Sequence, residues 1–374
     1  MMRRKVLFLY GNRPQPLPIH MMHLLNSTDE YQAELLYFNR EDSSVCLPLS
    51  GLLDQEQCSR VTWTVGNHLI SKIVNRCIVL GLFVKRIRSR TPDVIHAWNF
   101  DMLLAARIAA STLRHAKVVF TLQDTTEWML SPIARAVQRW AYRGVDLIFV
   151  TSQGFEARFL RRFHLIADEQ EVVFVPNVPP AQQFARFKPR KPGTEVTVGW
   201  IGLFRGKKGI RTLFEAVQLA RDRGADVRLL CAGKGPECDL VERLAEGNTF
   251  VDYLGPYRHD QEILDLYGKV DILYAIYDQS YDKKIHLAYR LCEAVNCRLP
   301  IIVAKGTHMS EVVETQGIGV SVELGDVEGL AQALAMFHQS YAKRMEIAVN
   351  CEKARPQFVF EFHQERISEA YEGL

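Results

Sequence analysis

The sequence predicts an α/β protein made of two doubly wound domains, and three observations predict it. Strand-like and helix-like runs alternate from end to end, as a parallel sheet covered by helices requires. At 374 residues the chain is long for a single core. The alternation breaks at "PPAQQFARFKPRKPGTE", where four prolines and a glycine mark a linker. These observations place one domain over residues 1–180, a linker over 181–196, a second domain over 197–355 and a returning C-terminal helix over 356–374.

In the first half the strand runs are "KVLFLYG", "AELLYFN", "DVIHAW", "KVVFTLQD", "DLIFVTS" and "VVFVPNV". Between them "DMLLAARIAASTLR" and "IARAVQRWAYRGV" carry helical spacing. The second half repeats the alternation with "VTVGWIG", "DVRLLCAG", "TFVDYLG", "VDILYAIYD" and "PIIVAKG", and "RTLFEAVQLARDRG" is helical. Two similar halves imply a cleft between them, where ligands of such proteins bind. The final "FVFEFHQERISEAYEGL" reads as a helix that packs back on the first domain.

A chain with 48% hydrophobic and 24% charged residues is globular rather than disordered or membrane-spanning, and no apolar run is long enough for a transmembrane helix. The eight cysteines (46, 58, 77, 231, 238, 292, 297 and 351) form no Cys-x-x-Cys pair, which argues against a zinc site and for a reducing cytoplasm. The apolar run in "MMRRKVLFLYGN" is too short for a secretory signal. The net charge of +3 divides into +8 over residues 1–190 and −5 over the remainder, so the halves have different partners. No nucleic-acid motif is present.

The stretch "GLFRGKKGIRTL" (202–213) joins the end of a strand to the start of a helix and carries Arg205, Lys207 and Lys208 among three glycines. Unpaired amides at a helix start favour an anion, so the loop is either a phosphate seat or a solvated turn. The spacing of a P-loop is absent. In "HLAYRLCEAVNCRLPIIVA", Arg290 and Glu293 share one helix face. A carboxylate there can take a ribose diol and the arginine a diphosphate; the alternative is a surface ion pair. "CAGKGPE" offers Gly233 and Gly235 after a strand, a weak signal without a third glycine. "GTHMSEVVE" presents backbone amides from Gly306 through Thr307 to Met309. His96 and Asp124 sit at strand ends, where active residues and satisfied structural polar groups both collect. His20 and His23 in "HMMH" have ligand-like spacing without a nearby partner and fit a loop lining.

Taken in order, these pieces resemble the retaining, nucleotide-sugar-dependent glycosyltransferases of the GT-B fold, in particular family 4. The second half carries the likeness through "VGWIGLFRGKKGIRTLFEAV", "DVRLLCAGKGPE", "VDYLGPY", "DILYAIYD", "RLCEAVNCRLPIIVA" and "EVVE". The first half does so more loosely through "DVIHAWNFDMLLAARIAA", "VVFTLQD", "DLIFVTSQGFEARF" and "VVFVPN". The resemblance implies two Rossmann-like domains facing a central cleft. It assigns Lys208 and Arg205 to the leaving diphosphate, with Gly202, Gly233, Tyr257, Arg290, Glu293, Gly306 and Thr307 completing the donor site. His96, Gln123 and Asp124 fall on the sugar or acceptor side.

Two departures stand out against the family pattern. Ile285 occupies the place of the first glutamate of the family's Glu-(seven residues)-Glu motif, and Gln123 stands where many members carry histidine. The resemblance implies a UDP- or GDP-sugar donor, a polysaccharide or lipid-linked oligosaccharide acceptor, retention of configuration and no metal. A nucleotide-sugar epimerase and a non-catalytic GT-B protein are the rival readings.

One segment adds a partner. "LISKIVNRCIVLGLFVKRIRSR" (69–90) carries Lys72, Arg76, Lys85, Arg86, Arg88 and Arg90 and no acidic residue. It reads as a helix ending in a basic cluster that either rests on an anionic membrane surface or solubilises a helix end.

Overall fold

Each half of the chain builds one parallel sheet, because its strand runs are apolar on both faces and are joined through covering helices. The computed structural model describes residues 3–11, 16–39, 58–62, 69–191, 193–277 and 280–374; within these, the side chains of 38–39, 58–62, 69–76 and Tyr281 lie outside the description. The first sheet comprises β1 (Arg4–Tyr10), β2 (Tyr31–Asn39), β3 (Cys58–Thr62), β4 (Val94–Trp98), β5 (Lys117–Leu122), β6 (Leu147–Val150) and β7 (Val172–Phe174). Its spatial order is β3-β2-β1-β4-β5-β6-β7. The second comprises β8 (Val196–Leu203), β9 (Val227–Lys234), β10 (Val251–Gly255), β11 (Ile272–Ala275), β12 (Ile301–Ala304) and β13 (Gly319–Val322), in the order β10-β9-β8-β11-β12-β13.

Both orders reverse direction beside their first strand, between β1 and β4 and between β8 and β11. Loops leaving the carboxyl ends of the strands at such a reversal diverge and leave a crevice. β3 and β13 are additional to the strands read from sequence. Both are short, and "CSRVT" and "GVSV" lack the apolar density of their neighbours.

The chain divides into two compact units, Met1–Asn177 with His363–Leu374, and Val178–Phe362. Trp98, Phe120, Phe149 and Tyr142 fill the core of the first; Phe204, Tyr267 and Tyr274 fill that of the second. His20 and His23 lie on the helix Pro16–Asn26 rather than in a loop. Proline at the first positions of a helix costs no hydrogen bond, so "PLPIHMMHLLN" is helical despite its two prolines.

Cys46 lies outside the described residues, as does the side chain of Cys58; the other six cysteines are free thiols. Among the described residues no helix is long and apolar enough to cross a membrane, and no three His, Cys, Asp or Glu side chains converge as metal ligands.

Candidate active site

The basic loop leaves the carboxyl end of β8 and enters the helix Lys207–Asp222. Gly206 stands at the N-cap with φ 89° and supplies no side chain, so the first-turn amides receive no side-chain acceptor. Tyr274, fully buried on β11, donates its hydroxyl to the Gly209 carbonyl at 3.1 Å and fixes this turn over the switch point. Arg205, Lys207 and Lys208 are exposed around the turn. Lys207 approaches Glu237 at 4.0 Å. Lys208 has no acidic partner among the described residues, and its chain lies against Gly325, where an added Cβ would meet Nζ at 2.6 Å. A positive helix end with two uncompensated cations is an anion seat.

Arg290 comes to the same strand end from the helix Tyr289–Asn296. A Cβ built on Gly202 would lie 1.7 Å from Arg290 Nη2, so this position accommodates the guanidinium only because it is glycine. The φ of Gly202 is 135°, a conformation that also favours glycine. Nε and Nη1 of Arg290 are buried and have no hydrogen-bond partner among the described residues. Burial opposes its charge, but Tyr277, Tyr267, Glu293 and Tyr257 outweigh that, and the guanidinium is held above its ordinary range. A buried, charged and incompletely bonded arginine is poised to take an anion.

Glu293, one turn further along this helix, is 3% exposed. Its Oε1 meets His259 Nε2 at 2.7 Å, and its Oε2 accepts from the Tyr267 hydroxyl at 2.7 Å. Among the described residues no ion pair joins it to Arg290, so the surface-pair reading is set aside. Burial lowers the His259 imidazole, but hydrogen bonding to Glu293 and its charge prevail and raise it. Burial pushes the Tyr257 phenol up to about 12, against the pull of Arg290, which places Tyr257 in the same cluster. His259 and Tyr267 had no signal in the sequence; they find Glu293 only through the fold.

Other expected positions serve the fold. A Cβ at Gly233 would lie 1.7 Å from the Gly202 carbonyl oxygen, so the approach of β9 to β8 by itself requires this glycine. The Thr307 hydroxyl is committed to its own helix: it accepts from Ser310 N at 3.1 Å and donates to Ala304 O at 2.8 Å, leaving the amides after it as the available groups. Gly306 opens this turn on the exposed side. Ile285 is buried, and the place of the first motif glutamate holds no carboxylate. The following His286 is pushed down to about 4 by burial and is neutral at neutral pH.

In the first unit His96 is fully buried in the middle of β4. Nδ1 meets the Tyr371 hydroxyl at 2.5 Å and Nε2 the Thr121 hydroxyl at 2.7 Å, while Trp98 and Phe149 stack on the ring. Burial pushes it down to about 3. The expectation of a residue facing the sugar is therefore corrected: His96 is a neutral core histidine with both nitrogens engaged. Gln123 is buried and accepts from the Tyr10 hydroxyl at 3.1 Å, and Asp124 beside it is exposed.

Comparison with known proteins identifies the family and the fold. Residues 195–340 match the family model "Glycosyl transferases group 1", and residues 42–178 match "Glycosyl transferase 4-like domain". The succinoglycan biosynthesis protein ExoL of Rhizobium meliloti (strain 1021) is 24% identical over 299 residues, covering 75% of this chain and 73% of its own. Among solved structures, Anabaena HepE in complex with UDP and glucose superposes with a TM-score of 0.74 at 19% identity over 100% of both chains. Sucrose-phosphate synthase of Thermosynechococcus elongatus does so with 0.73 at 16% over 99% of both. The chain belongs to the GT-B glycosyltransferases, its first unit matching the glycosyltransferase 4-like domain and its second the group 1 domain.

Proposed function

We propose that the protein transfers a sugar from a UDP- or GDP-linked donor to a polysaccharide or lipid-linked oligosaccharide precursor, with retention of configuration. The observation that carries this reading is Arg290, buried, charged and short of partners among the described residues, at the strand end that also launches the uncapped helix of Lys208. Negative charge gathers on the leaving diphosphate as the glycosidic bond breaks. Arg290, Arg205, Lys208 and the free amides stabilise it without a metal ion. Glu293 receives the ribose hydroxyls on the lone pairs that His259 and Tyr267 leave open, since a carboxylate offers about four acceptor sites. Gln123 and Asp124 stand on the sugar or acceptor side.

Similarity to a protein of succinoglycan biosynthesis supports a polysaccharide precursor as acceptor. The UDP and glucose bound to the Anabaena neighbour make UDP-glucose the first donor to try. The test is calorimetric titration with UDP, GDP and their glucose, galactose and mannose conjugates in EDTA, followed by product analysis with a lipid-linked acceptor. Binding of a nucleoside diphosphate together with turnover to an α-linked product is expected. Absence of nucleotide binding, or of turnover with any bound donor, overturns the reading.

A further inference from the structure

The helix Pro132–Arg143 is turned the wrong way for a soluble surface. Its buried face holds Ala134, Gln138, Ala141 and Tyr142, whereas the large apolar side chains point outward. Ile133 is 81% exposed, Val137 41% and Trp140 53%; spaced four and three residues apart, they form one stripe. Trp128, 50% exposed, precedes them in the turn that Gln138 Nε2 ties to the helix through the Met129 carbonyl. An exposed apolar stripe of this kind marks a contact surface.

Its charge identifies the partner. The helix carries Arg135, Arg139 and Arg143 and no acidic residue. The Arg107 guanidinium lies 5.5 Å over the Trp140 ring, and its neighbour Ile108 is a further exposed apolar side chain. The Ile108 carbonyl accepts from Arg88 Nη2 at 3.3 Å, so the basic end of the helix Leu69–Arg90 borders the same patch. That end alone has no apolar face: Phe83, Val84 and Ile87 are buried, Lys85, Arg86 and Arg88 are exposed, and Arg90 pairs with Glu34 at 3.2 Å. The side chains of Lys72 and Arg76 lie outside the described residues. Of the helix's arginines, Arg135 packs on the Phe163 ring, Arg139 donates to the His164 carbonyl at 3.0 Å and Arg143 is exposed, while Glu127 is exposed beside Trp128; the positive border is therefore Arg107, Arg143 and the end of the helix Leu69–Arg90. Tryptophan and aliphatic side chains with such a border match the headgroup boundary of an anionic bilayer.

We propose that the helix Pro132–Arg143, bordered by Arg107 and the basic end of the helix Leu69–Arg90, docks the protein on an anionic membrane surface. The chain supplies its own comparison in Tyr341, Met345 and Val349, an exposed stripe on the helix Tyr341–Ala354. Its flanks mix Lys343 and Lys353 with Glu346 and Glu352 and match no single sign of surface.

The test is flotation of the full chain with phosphatidylglycerol–phosphatidylcholine vesicles and with phosphatidylcholine alone, at low and high salt and without any nucleotide sugar. The parent protein floats with anionic vesicles at low salt, and its tryptophan emission shifts blue, less so in Trp140→Phe. Ile133→Asn/Val137→Asn/Trp140→Gln lowers partitioning at least about tenfold, and Lys85→Glu/Arg86→Glu/Arg143→Glu removes its salt dependence. Tyr341→Gln/Met345→Gln/Val349→Gln leaves it unchanged. No flotation of the parent, equal loss in the two stripe variants, or a dimer that the first triple variant dissociates overturns the proposal.

Discussion

Arg290 and Gly202 act as one unit, and this dictates what a single methyl group does to the candidate site. Gly202→Ala sets a Cβ in the space of the guanidinium and imposes a φ that alanine rarely adopts. We expect a stability loss of about 1–3 kcal/mol. We also expect weakening of UDP binding comparable to that of Arg290→Gln, measured by calorimetry; a variant that binds like the parent would separate Arg290 from the phosphates. His259 gives a pH-dependent prediction. Its folded pKa lies above the ordinary 6.5, so the stabilisation from imidazolium on Glu293 is complete below that value and fades as pH rises through the raised one. Melting temperature should therefore fall from about pH 6 to about pH 9 more steeply in the parent than in His259→Gln. Parallel profiles would remove the pair from the account. Lys208, Arg290 and Glu293 are nameable as candidates from sequence because they sit in ordered local motifs. His259 and Tyr267 are not, being 34 and 26 residues from Glu293 in sequence. His96 was misplaced because a central parallel strand is covered on both faces, so no position along β4 marks an opening.

At the scale of elements, periodicity located the helices but left their orientation open. "IARAVQRWAYRGV" reads as a helix from sequence, and the face that packs is the alanine, glutamine and tyrosine face. Tyr142 stacks on Phe120 at 5.4 Å and meets Phe100 edge-on at 5.8 Å. Tertiary fit chose the smaller side chains, which let the helix approach the sheet. The helix Lys207–Asp222 was legible in both respects: Ile210, Leu213, Phe214 and Val217 are buried, and the glycine-bounded cations mark its start. Its candidate anion seat lies in that first turn. Lys208→Ala and Arg205→Ala should each weaken UDP binding by about 1.5–3 kcal/mol while leaving uridine unaffected, because each removes a charge-assisted contact to phosphate. Titration of both ligands against the three proteins decides it, and equal losses for uridine and UDP would move these cations off the diphosphate.

For the whole molecule, the consequential feature is that the first unit is discontinuous, closed by residues 363–374 from the far end of the chain. Hydrogen bonds fasten this segment to the strands, among them the Tyr371 hydroxyl on buried His96 and Arg366 Nη1 donating to the Phe174 carbonyl at 3.1 Å. The Tyr371 ring also stacks on Phe149 and meets Tyr31 edge-on. The first unit thus depends on a segment that follows the whole of the second, while the second, Val178–Phe362, is continuous. Tyr371→Phe strands a buried imidazole nitrogen and should cost about 1–3 kcal/mol. Deletion of residues 364–374 should cost more, because it also uncovers the aromatic cluster around His96. Hydrogen exchange separates the units: in both variants the amides of β4 and β6 lose protection while those of β8 and β9 keep it, and the thermal shift given by UDP persists. Equal loss in both sheets, or none in either, would show that the C-terminal segment does not carry the stability of the first unit.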